Sequence, residues 1–339
     1  MAIVTNDKAH ELVDTLNLRG QGLNVGELPG VCFCGNVEEL VRMVDVLALT
    51  GRPDVVIAEP VGSCLDMTAT VIRPLQKAFG RRFDIAPYGV LVKPLHAAKI
   101  LRGEENAGVS PKAAYIFLTQ LAEADFAVIN RIDQLTAAEV DELRRLLAAR
   151  WPGLPISAMS ARTGVGFEAF AEQLERTGNF RGCGVSIDYE AYAAGEAELA
   201  WLNASLLIAV RCLTPLNDFV VDFLASMRRC LEQGGVRAAH VKATALAEGR
   251  HAAANLIDTW VPPEVSFSCD DAAQRVQLVV NARVRCEPRR LREIFLAALD
   301  DAPAMAGGSR ELIAIECFAP GSPDRDAGRG SAGILSIDP

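Results

Sequence analysis

The chain has 339 residues, of which 50% are hydrophobic and 23% are charged, and its formal net charge is −9 at pH 7. This length is enough for two domains with separate cores, and the acidic balance argues against a nucleic-acid-binding protein, which needs clustered Lys and Arg. No apolar run reaches the ~18–20 residues that a membrane span requires, and the first ten residues lack a secretory signal. The nine cysteines are an odd number spread along the whole chain, so thiols in a reducing cytoplasm are expected rather than a disulfide framework.

The first half of the chain alternates short β-rich runs with helical patterns. The runs that predict buried parallel strands are AIVTN, DVVIAE, FDIAPYGVLV, DFAVINRI and LPISAMSA. The helical patterns between them are NVEELVRMVDVLALTG, DMTATVIRPLQKAFG, SPKAAYIFLTQLAEA and TAAEVDELRRLLAARW. This alternation predicts an α/β fold with a doubly wound parallel sheet over residues 1–180. Ligands of such sheets bind at the carboxyl ends of the strands. The polar residues expected at that edge are Asn6, Asp7, Glu59, Asn130, Asp133 and Ser160.

The second half of the chain has a different order of elements. Residues 181–204 break the alternation and are predicted to form a connector that contains a helix. Residues 205–320 then follow a β-α-β and β-α-β order, which predicts a ferredoxin-like α+β domain. The tail 321–339 is rich in Gly, Ser, Pro and Asp, and its composition predicts disorder.

A candidate guanine-binding motif, Asn130-Arg131-Ile132-Asp133, follows the predicted strand DFAVI. The carboxylate of Asp133 can accept hydrogen bonds from N1–H and N2–H₂ of guanine, and Asn130 can bind O6 or tie neighbouring loops together. The next strand closes with Ser160 and Ala161, where a backbone amide could face O6. The alternative is a strand-end Asn followed by a helix-start Asp, because a four-residue match alone is weak.

The phosphate side of a GTP site is only partly represented in the sequence. None of the six lysines lies in a Gly-x-x-x-x-Gly-Lys-Ser/Thr loop. The predicted strand DVVIAE, however, ends in Glu59, and Gly62 follows three residues later, as in a Walker B element. Glu59 would then hold the water shell of Mg²⁺ or position the attacking water, and Gly62 would offer its amide to the γ-phosphate. The alternative is a solvated strand-end Glu before a Pro turn.

Cys32 and Cys34 flank Phe33 and would point to the same side of an extended chain. Two thiolates at this spacing can share one soft metal ion such as Zn²⁺, although a closed site needs four ligands. Two small buried residues beside a Phe are an equally good explanation of this pair taken alone.

Together these motifs resemble the CobW/HypB/UreG group of metallochaperone GTPases, and its CobW-like members in particular. The segments that carry the resemblance are VTND, ELVDT, VGELPGVCFCGN, VVIAEPVGSCLDMTATVIRPL, FAVINRID, SARTGVG, IDYEAYAAGEAELAWLN, LVVNARVRCEP and FAPGSPD. The resemblance implies a P-loop NTPase-like fold, with GTP and Mg²⁺ as cofactors and Glu59 serving Mg²⁺ and hydrolysis. It also implies that Asn130 and Asp133 bind the guanine and that Cys32 and Cys34 bind the transported Zn²⁺ or Co²⁺. The implied role is metal delivery, with cobalamin or corrinoid systems as a known association of CobW-like proteins, and the expected partners are GTP, a metal-requiring client protein and a second copy of the chain.

This sequence departs from the family pattern in three places. It starts at the strand that the family places second, so the first strand and the phosphate loop are absent from these 339 residues. Either the start was assigned too late, with Met1 in place of an internal residue, or the chain is a degenerate relative. Gly35 stands where the family motif Cys-x-Cys-Cys has its third cysteine, which makes Cys64 a candidate replacement. Arg131 replaces the usual Lys, and a guanidinium can still stack on the base. The alternative function is therefore a non-catalytic regulatory or scaffold protein that kept the fold and lost GTP turnover.

Overall fold

The computed structural model describes residues 1–7, 13–30, 32–104, 110–176, 184–305 and 307–320. The tail 321–339, for which the composition predicts disorder, and the beginning of the predicted connector at 181–183 lie outside these ranges. The side chain of Asp7 also lies outside the description.

Two compact units make up the chain. The first consists of Met1–Cys32, Glu38–Gly62 and Glu196–Pro339, and the second of Phe33–Val37 and Ser63–Gly195. Each unit has its own sheets and its own core, and each is described below by itself. The domain bounds expected from the sequence, 1–180 and 205–320, stay a prediction.

The first unit begins with a small parallel sheet. Its elements are β1 (Ala2–Asp7), α1 (Val13–Gly20), β2 (Asn24–Pro29), α2 (Val37–Ala48) and β3 (Val56–Glu59). The strand order is β2-β1-β3, and both pairings are parallel. The central strand β1 buries Val4 completely, whereas Ile57 on the edge strand β3 is 45% exposed. The sheet is therefore well covered at its centre and open to solvent at β3.

The second unit holds another parallel sheet and most of the helices. Its main elements are a π-helical turn (Thr68–Ile72), α3 (Arg73–Phe79), β4 (Gly89–Val92), α4 (Pro94–Arg102), α5 (Pro111–Glu123), β5 (Phe126–Ile129), α6 (Ala137–Arg150), β6 (Ile156–Ala158), α7 (Phe167–Glu175) and α8 (Tyr189–Glu196). The order is β4-β5-β6, with all four residues of the central strand buried. Helix α6 begins at a capping box in which Thr136 and Glu139 satisfy each other's backbone amides.

The C-terminal part of the first unit is a six-stranded sheet with two helices. Its elements are β7 (Ala200–Pro215), α9 (Leu216–Gln233), β8 (Ala238–Ala247), β9 (Arg250–Leu256), β10 (Glu264–Phe267), β11 (Ala272–Val284), α10 (Pro288–Asp301) and β12 (Ser309–Phe318). The order β10-β9-β8-β11-β7-β12 is antiparallel throughout. The ferredoxin-like arrangement is formed by the four adjacent strands β8, β11, β7 and β12. Strands β9 and β10 extend the sheet beyond β8. Phe219, Phe223 and Phe295 are fully buried between the helices and the sheet.

The expected fold class is confirmed, since parallel α/β sheets precede an antiparallel α+β sheet of ferredoxin-like order. One detail differs from the expectation: the parallel strands form two three-stranded sheets instead of one. Among the described residues, β3 and β4 are each hydrogen-bonded on one side only, so each ends its own sheet. None of the described helices combines the length and the hydropathy of a membrane span.

Helix α1 is held on the C-terminal sheet of its own unit by polar contacts. The Oδ1 atom of Asn281 accepts the amide of Val13 at 2.8 Å, which caps the first turn of the helix from a distant strand. The ammonium of Lys242 pairs with the carboxylate of Asp14. These contacts fix the position of α1, the helix that follows β1, on the C-terminal sheet.

Candidate metal centre and guanine loop

Three thiols form the one group of metal-binding side chains found among the described residues. The sulfur atoms of Cys32, Cys34 and Cys64 all lie within 4.8 Å of one another. Cys34 belongs to a short 3-10 turn, Phe33–Gly35, whose Phe33 is buried. Cys32 precedes it by two residues, so chain connectivity itself keeps these two close. Cys64 comes from a different part of the sequence and is 3% exposed.

The chemistry of these three atoms suits a soft divalent ion. Thiolates bind Zn²⁺ at about 2.3 Å, and a tetrahedral site then puts the sulfurs about 3.8 Å apart. A spacing within 4.8 Å reaches that geometry after a small adjustment of side chains. Three sulfurs leave one position of the tetrahedron open, as in sites where the metal meets an incoming ligand. The residues present therefore fit Zn²⁺ or Co²⁺ better than hard ions such as Mg²⁺, which prefer oxygen.

The segment that follows Cys64 is held by helices α5 and α8. The side-chain amide of Gln120 donates to the carbonyl of Cys64 at 3.1 Å, and the carboxylate of Glu123 accepts the amide of Asp66 at 2.8 Å. The hydroxyl of Tyr189 donates to the carboxylate of Asp66 at 2.5 Å.

The two ionisable groups beside this segment have shifted titrations. Burial raises the pKa of Glu123 to about 7, although the neighbouring backbone amides favour its charged form. The hydrogen bond to Asp66, together with burial, raises the pKa of Tyr189 to about 12. The negative charges of Cys34 and Glu123 act in the same direction on Tyr189, which shows that the phenol lies near both the thiol site and the buried acid. An added negative charge at this place is thus disfavoured, whereas a cation bound to the thiols would relieve the repulsion.

The candidate guanine loop is closed by Asn130. Its Oδ1 atom accepts the amide of Arg131 at 2.8 Å and the amide of Ala161 at 3.0 Å. Arg131 itself has a φ of +62°, in the left-handed region. Asn130 therefore ties the loop after β5 to the loop after β6, which is one of the two roles that its position in the motif allows.

Asp133 and Ser160 occupy different environments on these two loops. Asp133 lies in a short 3-10 helix, Ile132–Gln134, and is exposed. It does not cap α6, because Thr136 does. Ser160 is fully buried, and its hydroxyl accepts the amide of Thr163 at 3.2 Å. Ser160 thus shapes the loop from within, while the carboxylate of Asp133 faces solvent where a base could reach it.

The loop after β6 is fixed by a glycine. Gly166 has a φ of +77°, and a side chain there would place its Cβ 2.2 Å from the carbonyl oxygen of Ala158. Only glycine combines this conformation with so close an approach. Helix α7 starts directly after it, at Phe167.

Glu59 and Gly62 lie at the end of the other parallel sheet. Glu59 is the last residue of β3, in register with Thr5 of β1, and it is exposed. Gly62 is also exposed, and the space around its Cα is open. Asn6, expected at the same strand ends, is buried and its side chain donates to the carbonyl of Leu28 at 2.7 Å. Asn6 is thus committed to the sheet, and Glu59 and Gly62 face outward.

Gln120, Glu123 and Tyr189 are not among the residues that sequence reasoning selected. Glu123 ends a helix just before a strand, a place where an acid is usually exposed, so its burial carries no sequence signal. Gln120 belongs to no motif, and Tyr189 lies in the segment IDYEAYAAGEAELAWLN without a role assigned to it. Their contacts with the Cys64 segment arise from packing between elements that are far apart in the chain.

Comparison with protein families identifies the N-terminal part of the chain. Residues 1–157 match the family model described as "CobW/HypB/UreG, nucleotide-binding domain". No curated protein matches the chain. Among solved structures, zinc(II)-bound YjiA GTPase from E. coli is 13% identical, with 88% of this chain and 98% of that chain covered and a TM-score of 0.29. A zinc(II)-bound triple mutant of YjiA GTPase is 11% identical over 87% of this chain and 88% of that chain, with a TM-score of 0.30.

At such TM-scores the two solved structures do not support a fold assignment. The assignment rests instead on the strand order described above. The family match covers the candidate guanine loop up to β6, the three clustered thiols, and Glu59 with Gly62. Residues 1–157 of this chain belong to the CobW/HypB/UreG nucleotide-binding domain family.

Proposed function

We propose that this chain is a CobW-like GTP-binding metallochaperone that carries zinc or cobalt on the sulfurs of Cys32, Cys34 and Cys64. The observation that carries the proposal is the approach of these three sulfurs to within 4.8 Å of one another. It occurs in a chain whose first 157 residues match a nucleotide-binding domain of this family. The metal is cargo for a metal-requiring client protein, and cobalamin or corrinoid proteins are the client class that the resemblance suggests.

Three thiolates with one open position suit a carrier better than a permanent structural site. A closed four-ligand site retains its metal, whereas an open position lets a ligand from the client bind before any thiolate leaves. Binding of the metal must displace thiol protons, so affinity should rise with pH up to about 8.5, the pKa of a free thiol.

The nucleotide part of the proposal rests on residues at the ends of β3, β5 and β6. Asp133 would bind the guanine base, with Asn130 and the Ala161 amide holding the two loops together. Glu59 and Gly62 would face Mg²⁺ and the phosphates. When bound, GTP with Mg²⁺ supplies a hydrolysable phosphoanhydride. No Gly-x-x-x-x-Gly-Lys-Ser/Thr loop occurs in these 339 residues, so this set of residues accounts for the base and the metal but not for most of the phosphate contacts.

That same feature of the sequence favours a second candidate function. A chain that keeps the guanine loop without a phosphate loop could serve as a non-catalytic regulatory or scaffold protein. The two candidates differ in whether GTP is hydrolysed, and both keep the thiol site. Metal binding therefore tests the metal-carrying part of the proposal and does not distinguish the two candidates.

A cobalt titration tests the metal-carrying proposal. Co²⁺ added to the reduced protein should produce an intense thiolate-to-cobalt charge-transfer band. Cys64→Ser should remove roughly a third of its intensity and weaken binding at least tenfold, because one of three thiolates is lost. The double variant Cys32→Ser/Cys34→Ser should abolish the band.

The matched control is Cys212→Ser, which removes an exposed cysteine in the C-terminal sheet. It should leave the band unchanged. Identical spectra for the wild type and the double variant would show that the cysteine pair does not bind metal, and the proposal would be wrong.

A further inference from the structure

Two side chains on one face of α5 form hydrogen bonds to the chain segment that carries Cys64. Gln120 and Glu123 are three residues apart on α5, so their side chains lie on the same face. The amide of Gln120 donates to the Cys64 carbonyl at 3.1 Å, and the carboxylate of Glu123 accepts the Asp66 amide at 2.8 Å. The two hydrogen bonds thus hold the backbone at Cys64 and again two residues later.

The backbone at the second of these points, Asp66, has an unfavourable conformation. Asp66 has a φ of +63°, which residues other than glycine rarely adopt. Such a conformation persists where the surroundings determine it from several sides. Here the surroundings are Glu123 on the amide, Tyr189 on the carboxylate at 2.5 Å, and Thr70, whose hydroxyl donates to the Asp66 carbonyl at 2.6 Å. The segment is therefore locked beside Cys64.

Glu123 is a costly residue to use for packing alone. It is 2% exposed, and its Oε1 atom has no hydrogen-bond partner among the described residues. Burying a carboxyl group without satisfying both oxygens opposes folding, and an apolar residue at this place would avoid that cost. The hydrogen bonds that Glu123 accepts come from backbone amides of the segment after Cys64, the one from Asp66 at 2.8 Å.

We propose that Gln120 and Glu123 are positioning residues that hold Cys64 as the third thiolate of the metal site. This proposal rests on the proposed metal-carrying function and assigns the work of the missing third cysteine at Gly35 to a residue from another part of the chain. Cys32 and Cys34 share one short stretch and stay close without help, whereas Cys64 approaches them only if its own backbone is fixed. Groups behind the ligands of a metal site commonly change affinity 10–100-fold when they are removed.

Two variants with different chemistry test the positioning role. Gln120→Met keeps the length of the side chain and removes the donor to the Cys64 carbonyl. Glu123→Ala removes the acceptor of the Asp66 amide. Each should weaken Co²⁺ binding at least tenfold and lower the charge-transfer intensity at saturation towards that of a two-thiolate site. Glu123→Gln keeps an acceptor oxygen at the same place and should bind Co²⁺ within about threefold of the wild type.

The control is Thr119→Val on the same helix. Thr119 is buried, and its hydroxyl donates to the carbonyl of Tyr115 within α5 at 2.8 Å, so the variant loses a buried hydrogen bond that does not involve the Cys64 segment. It should lower the urea midpoint and leave cobalt affinity unchanged. This separates a positioning effect from a general loss of stability.

The outcomes distinguish this proposal from the function on which it rests. If the wild type shows no thiolate band, the metal-carrying function is wrong and the positioning role falls with it. If the wild type binds Co²⁺ and both Gln120→Met and Glu123→Ala bind it equally well, only the positioning role is wrong. Failure of Glu123→Gln to restore binding would also overturn it, since that variant keeps the required acceptor.

Discussion

Asp133 and Thr136 stand three residues apart and have separate tasks in the structure. Thr136 caps α6 through its capping box with Glu139, so Asp133 is not needed as a helix cap. Its carboxylate is exposed on a 3-10 turn beside the loop that Asn130 ties to Ala161. This arrangement leaves the Asp133 carboxylate accessible to a base, and its role in binding guanine stays a prediction, since Asp133 also stands in the first turn of a 3-10 helix.

In an N-terminally complete version of the protein that hydrolyses GTP, we expect Asp133→Asn to change base preference from guanine to xanthine. The carboxylate accepts from two donors of guanine, whereas an amide can donate to the carbonyl that xanthine carries at the same place. Loss of a charged acceptor should weaken guanine nucleotide binding roughly tenfold to a hundredfold. Competition between guanosine and xanthosine nucleotides measures the change, and an unaltered preference would contradict the guanine interpretation.

A second prediction at the scale of one residue follows from Glu123 and concerns the pH dependence of stability. Its folded-state pKa of about 7 lies above the usual 4.5, so the folded protein holds this proton more tightly than the unfolded chain does. The resulting stabilisation is complete below about pH 4.5 and is lost as the pH rises to about 7. The full difference corresponds to about 3 kcal/mol.

The variant Glu123→Gln should remove this pH dependence from the metal-free protein. It should be more stable than the wild type at pH 8, by up to about 3 kcal/mol, and similar to it at pH 4.5. Urea unfolding at the two pH values measures the effect, with Glu172→Gln on the exposed face of α7 as the control. Parallel pH profiles for the variant and the wild type would show that Glu123 is charged in the folded state at neutral pH.

At the scale of elements, helix α1 depends on a sheet that lies far away in the sequence. Asn281 of β11 caps its first turn, Lys242 of β8 pairs with Asp14, and the Thr244 hydroxyl donates to Asn17 at 2.9 Å. These polar contacts fix the helix together with the burial of Val13, which is 2% exposed. Residues of the C-terminal sheet thereby hold a helix of the family domain.

We expect Asn281→Ala to destabilise the protein by about 1–3 kcal/mol, because the buried Val13 amide loses its acceptor. Asn281 also donates to Asn203 at 2.8 Å, and that partner would be left unpaired as well. The control Gln277→Ala lies on the same strand and loses only a hydrogen bond to Ser205 at 3.1 Å. Equal unfolding midpoints for the two variants would contradict the capping role.

At the scale of all 339 residues, the absence of a Gly-x-x-x-x-Gly-Lys-Ser/Thr loop from this sequence sets an upper limit on the nucleotide affinity of these residues. Loop amides and a lysine supply most of the binding energy for the phosphates in P-loop sites. The chain of 339 residues has a candidate base-binding loop and a Walker B-like strand end without that loop. We therefore expect GTP to bind weakly or not at all, and calorimetry that found sub-micromolar binding to this chain would contradict the expectation.

Much of this architecture could be predicted from the sequence because it depends on local patterns. The alternation of strands and helices, the Thr136 capping box and the split β-α-β order each follow from patterns of residues that are close in the sequence. Strand β2 was missed, because NVGELP contains Gly and Pro and lacks the β-branched run that marks a strand. Strands β9 and β10 were missed as well; β9 is rich in alanine, which carries no strand signal.

The spacing of Cys32 and Cys34 and the Asn130-to-Asp133 motif were determined by the sequence itself, since each involves neighbours in the chain. The approach of Cys64 to the cysteine pair, the burial of Glu123 and its contact with Asp66 were decided only by the tertiary structure. These contacts join residues about thirty to sixty positions apart. Their formation depends on how α5 packs against the segment after β3, and the pKa of a buried carboxyl group depends on that packing too.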